Sequence, residues 1–75
     1  FIKDSAQAKQ PFFAYVPLSG PHTPWVPSKK FQGVSREGGL YADFVAEVDH
    51  CVGRIADQLA ASKVAENTLI IVTSD

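Results

Sequence analysis

The sequence predicts an α/β fold, one β-α-β unit with its two strands parallel in a single sheet. Two apolar runs, residues 12–16 and 68–73, lack the alternation of a half-exposed strand and read as strands covered on both faces. Between them, residues 40–62 repeat apolar side chains at helical spacing. Strand, long helix and strand in that order make a β-α-β unit, and its crossover is expected to be right-handed.

Taken in order, residues 1–8 read as the last turns of a helix, with Phe1, Ile2, Ala6 and Ala8 on its inner side. Lys9-Gln10-Pro11 ends it, because the residue before a proline is pushed away from helical angles. Phe12-Phe13-Ala14-Tyr15-Val16 is the first strand, closed by Pro17 and then Gly20-Pro21. Residues 19–39 form a long connection holding Pro21, Pro24, Pro27, Gly33, Gly38 and Gly39. A connection of that length inside a compact domain is a place to look for chemistry.

The helix at 40–62 carries Leu40, Tyr41, Phe44, Val45, Val48, Val52, Ile55 and Leu59 as one stripe, with Asp43, His50, Arg54 and Asp57 expected on the solvent side. Gly53 within it reads as a close helix-on-sheet contact, and Cys51 as a small hydrophobe at the stripe's border. Ala65-Glu66-Asn67 is a turn, and the β-branched run Thr68-Leu69-Ile70-Ile71-Val72-Thr73 is the second strand.

Composition narrows the function classes. The chain has 75 residues, 45% hydrophobic and 20% charged, as in ordinary globular proteins. A formal net charge of −1 gives no sign of nucleic acid or an acidic membrane surface as partner. No apolar run approaches the roughly 20 residues of a membrane span. With Cys51 the single cysteine, neither an internal disulfide framework nor a zinc site of cysteine pairs is available. Phe1-Ile2-Lys3 opens without a cap and Asp75 directly follows a strand, so residues 1–75 are expected to be a single partial domain, an internal segment of a larger α/β domain.

The topology nominates two residues. His22 lies just past the first strand and Asp75 at the end of the second, so parallel strands would bring both to the carboxyl edge of the sheet, where open α/β sheets bind ligands. Histidine is the usual general acid or base near neutral pH, and aspartate is a hard oxygen ligand for calcium or magnesium. Together they suit hydrolysis of an anionic ester. The alternative is that His22 is a surface or turn residue and Asp75 a cap. Pro21 and Pro24 stiffen the backbone around His22. His50 and the Lys29-Lys30 pair read as solvated, and Trp25 either lines the cleft mouth or fastens the loop to the body.

Three stretches resemble the sulfatase family in order and spacing, covering roughly residues 9–75. They are Pro11-Phe12-Phe13-Ala14-Tyr15-Val16 with Gly20-Pro21-His22-Thr23-Pro24, the helix with Tyr41, Val45-Ala46-Glu47-Val48-Asp49 and Val52-Gly53-Arg54-Ile55, and Glu66 to Asp75. The resemblance implies an alkaline-phosphatase-like sandwich with a mostly parallel sheet. It implies His22 as the group protonating the leaving alcohol and Asp75 as a ligand of an active-site calcium. A formylglycine nucleophile is expected elsewhere in the protein, since Cys51 is followed by Val52-Gly53-Arg54 and not by the family's C/S-x-P-x-R pattern. The substrate would be a small-molecule or carbohydrate sulfate ester, and the compartment periplasmic, secreted or lysosomal. Residues 1–75 alone would be inactive. Phosphatase or phosphonate-hydrolase chemistry on the same fold, or a non-catalytic relative, remain the other readings.

Overall fold

The computed structural model describes residues 1–74. Its helices are α1, Ile2–Gln7, and α2, Gly39–Ala61, with single 3₁₀ turns at Lys29–Phe31 and Ala65–Asn67. Two compact units share the chain, one formed by residues 15–54 and the other by residues 1–14 together with the chain from Ile55 on.

The predicted β-α-β unit with a parallel sheet is not what forms. Among the described residues no strand is present: 12–16 and 69–74 have no regular structure, and Thr68 is extended but unpaired in any ladder. Their apolar side chains stand open, Phe13 at 87%, Tyr15 at 79%, Leu69 at 84% and Ile71 at 77% exposure. A β-rich composition states how well side chains suit a pleated, half-buried surface. A strand also needs a neighbour to accept its backbone hydrogen bonds, and two strands by themselves are marginal in water.

In the unit containing both termini, α1 and the end of α2 stop in the same way. Lys9, at φ 55°, and Lys63, at φ 60°, occupy the left-handed conformation just past each helix. Lys9 N–H donates to the Ala6 carbonyl and Gln10 N–H to that of Ser5; Lys63 donates to Ala60 and Val64 to Leu59. This paired pattern satisfies carbonyls that the helix leaves without partners. Leu59, only 2% exposed, is the buried centre of this unit, and the Phe1 and Phe12 rings meet edge to face at 5.7 Å.

In the other unit, α2 serves as the post on which the 19–37 connection is wound. Phe44, at 8% exposure, is a buried apolar residue on the α2 side of this unit. The helix advances about 100° per residue, which puts Val45 and Asp43 about equally far to either side of Phe44. The connection covers the Asp43 side, leaving Asp43 3% exposed, while Val45 and Tyr41 stay 40% and 48% exposed. Asp43 is therefore buried, against the solvent-side position expected from the stripe. The periodicity located the stripe but not the flank that the connection would cover. Gly53 also departs from expectation: no atom would meet a Cβ there among the described residues, so no close contact explains it.

Candidate functional site

The 19–24 segment holds His22 in a tight turn. His22 N–H donates to the Ser19 carbonyl at 3.1 Å, and Pro21 and Pro24 fix φ on either side. The turn is seated through Gly20. A Cβ at that position would lie 2.8 Å from Phe44 Cε1 and 2.9 Å from Val48 Cγ2, so only glycine lets the backbone come this near to α2. A small concavity, lined by Leu18, Ser19, Gly20, Phe44, Glu47, Val48 and Cys51, runs beside this contact.

His22 itself is exposed. Its Nδ1 lies 2.6 Å from the Thr23 carbonyl oxygen. A carbonyl oxygen only accepts, so Nδ1 carries the hydrogen in this contact, leaving Nε2 as the atom available to deliver or take a proton. Trp25, three residues on, packs edge to face on Tyr41 of α2 at 5.5 Å and remains 45% exposed, so it fastens the loop and still presents ring surface.

Beyond Trp25, two carboxylates of α2 receive the chain. Glu47 accepts the Ser28 N–H at 2.9 and 3.1 Å through its two oxygens and also accepts the Ser28 hydroxyl. Asp43, one turn earlier on the helix, accepts the N–H of Gly33 at 2.7 Å, the N–H of Ser35 at 3.0 Å and the Ser35 hydroxyl at 2.6 Å. Hydrogen bonds to the charged form favour it. The Asp43 carboxyl is accordingly held below its ordinary range, by the Ser35 hydroxyl first and then the Gly33 and Ser35 amides. Glu47 is lowered in the same sense, chiefly by Ser28. His50, one turn past Glu47, stacks at a tilt on Phe31 with ring centroids 5.3 Å apart. The ring read as solvated is exposed but not isolated.

Of the two residues nominated from sequence, the structure places His22 on this bracketed loop. Asp75 lies outside the described residues. The parallel strands that were to bring the two together are absent, so that part of the sequence argument no longer supports a shared rim. Among the described residues no group of three or more His, Cys, Asp or Glu is arranged to hold a metal ion, so they do not form a calcium site by themselves. Cys51 is a free, half-buried thiol inside α2.

Sequence comparison supplies what the geometry lacks. The profile of the family described as Sulfatase matches residues 1–75, the entire chain. The chain belongs to the sulfatase family. N-acetylgalactosamine-6-sulfatase from Canis lupus familiaris is 40% identical over 75 residues, and that from Homo sapiens 41% over 75. Arylsulfatase H from Homo sapiens is 40% identical over 67 residues, 89% of the chain. This sulfatase segment spans 14% of the length of the first two relatives and 12% of the third. No solved structure gives a significant match.

Asp43 and Glu47 went unrecognised at the sequence level. Their spacing of four on a helix beside a loop rich in serine and glycine was the available signal: free loop amides need acceptors, and two carboxylates one turn apart supply them.

Proposed function

We propose that this sulfatase segment contributes the leaving-group acid of sulfate-ester hydrolysis, with His22 as that acid. The observation carrying the reading is the family match across all 75 residues, with His22 in a Pro-His-Thr-Pro turn that leaves its Nε2 available. As the sulfur–oxygen ester bond breaks, negative charge develops on the departing oxygen. An imidazolium N–H directed at that oxygen neutralises it by proton transfer. The nucleophile, a formylglycine, belongs outside residues 1–75.

Asp75 is proposed as one oxygen ligand of a calcium ion. Calcium takes six to eight oxygens in general, so the remaining ligands also have to come from outside this segment. Bound there, the ion would neutralise charge on the sulfate group. The substrate class proposed is a sulfate ester, and the likeness to N-acetylgalactosamine-6-sulfatase favours a sugar sulfate over a simple aryl sulfate. Family membership supports a periplasmic, secreted or lysosomal setting. No helix among the described residues is long and apolar enough to cross a membrane.

Replacing His22 by Ala in the full-length protein is expected to lower kcat on a sugar sulfate by about 10²- to 10⁴-fold, the ordinary worth of acid–base catalysis. Unaltered turnover would remove His22 from the mechanism. Faster turnover of a matched aryl phosphate than of the aryl sulfate would move the chemistry to phosphoryl transfer.

A further inference from the structure

We propose that Glu47 is a positioning residue for His22, acting through Ser28. Three observations within residues 15–54 converge on this. The turn carrying His22 is held at its start by Gly20 against Phe44 and Val48. Six residues after His22, Glu47 grips Ser28 with both carboxylate oxygens, taking the backbone N–H and the hydroxyl together. Between the two anchors the chain has little freedom. Proline rings fix φ at positions 21, 24 and 27, and Val26 is restricted by preceding Pro27. Pro27 is buried, and its carbonyl accepts from Gln32 Nε2 at 3.3 Å. Trp25 leans on Tyr41 in the same stretch.

His22 has no anchor of its own on α2. It is exposed, and among the described residues its side chain has only the neighbouring Thr23 carbonyl as a hydrogen-bond partner. Where its imidazole stands relative to a bound ester is therefore set by the two ends of the turn. Gly20 supplies one end by steric fit. Glu47 supplies the other by a charge-assisted, two-oxygen grip, which is directional in a way that a surface contact is not. Displacing an acid by about 1 Å can cost up to about 10²-fold in rate, because proton transfer depends steeply on donor–acceptor geometry.

This rests on His22 being the leaving-group acid, and the experiment separates the two. Glu47→Ala, Glu47→Gln and Ser28→Ala are made in the full-length protein, alone and combined with His22→Ala. Each is assayed on a nitrophenyl sulfate, whose leaving group needs little protonation, and on a sugar sulfate, whose leaving group needs much. Glu47→Ala is expected to lower kcat on the sugar sulfate by about 10- to 100-fold with KM little changed, and on the nitrophenyl ester by under about 3-fold. Glu47→Gln, which keeps one acceptor oxygen but neither the charge nor the second acceptor, restores part of the loss. In the His22→Ala background Glu47→Ala costs nothing further, as expected of two residues acting through one group.

Equal losses on both esters, or additive losses in the double variant, would overturn the proposal. If Glu47→Ala fails to fold, Ser28→Ala, which removes one hydroxyl, carries the test with the same leaving-group dependence at smaller size. If His22→Ala itself shows no leaving-group dependence, the acid assignment fails first. If His22→Ala shows it and neither Glu47 nor Ser28 variants do, the positioning role alone fails.

Discussion

Asp43, a carboxylate at 3% exposure that accepts three hydrogen bonds, ties the 33–35 turn to α2. Its folded pKa lies below its unfolded one. Such a group stabilises the fold fully above its unfolded pKa, and the contribution disappears as pH falls through the folded value. The 33–35 turn is thus expected to loosen on acidification below the ordinary carboxylate range, about pH 4. Amide hydrogen exchange at Gly33 and Ser35 reads this directly: protection factors should fall in acid. Asp43→Asn should lower them at neutral pH and flatten the acid response. Acid-insensitive protection in the unaltered protein would show that the charge on Asp43 does not matter to the turn. Asp43 was misplaced from sequence because helical periodicity is blind to which flank a loop will cover, whereas the conformation around His22 was legible in its two bracketing prolines.

Local patterns proved readable at the level of elements, and long-range pairing did not. The helix predicted over 40–62 is Gly39–Ala61, and that predicted over 1–8 is Ile2–Gln7. Both are encoded by neighbours three and four positions apart and by chain-terminating geometry at Lys9 and Lys63. The two predicted strands depended on partners distant in sequence, and side-chain preference alone does not recruit them. Within α2, Gly53 has open space where a Cβ would stand. Gly53→Ala is expected to stabilise the helix by about 0.5–1 kcal/mol by removing backbone freedom from the unfolded chain. Denaturant melts of the full-length protein measure it, and a lower midpoint would show that another surface closes on that face.

For the whole molecule, the sequence signalled the family through three separated motifs in the right order, while the proposed site would draw on this segment and on residues beyond it. The proposed calcium tests that division. A ligand that binds only the folded state stabilises it by about 2.7 kcal/mol at one hundred times its Kd. Full-length protein should therefore melt higher with calcium present, and Asp75→Asn should remove most of the shift. A shift of undiminished size in the variant would take Asp75 out of the ligand set.

The connection is tied to α2 at several points. Gly20 meets Phe44 and Val48, Ser28 meets Glu47, and Gly33 and Ser35 meet Asp43. The two carboxylates that take loop amides stand four residues apart on α2, so their alignment depends on helical pitch. An inserted residue between Asp43 and Glu47 would swing one carboxylate about 100° away from the other and put the whole series out of step. Extra residues between Gly20 and Ser28 would lengthen the span between two anchors and shift His22 with it. Relatives can be expected to keep count both along the helix and between these two anchors.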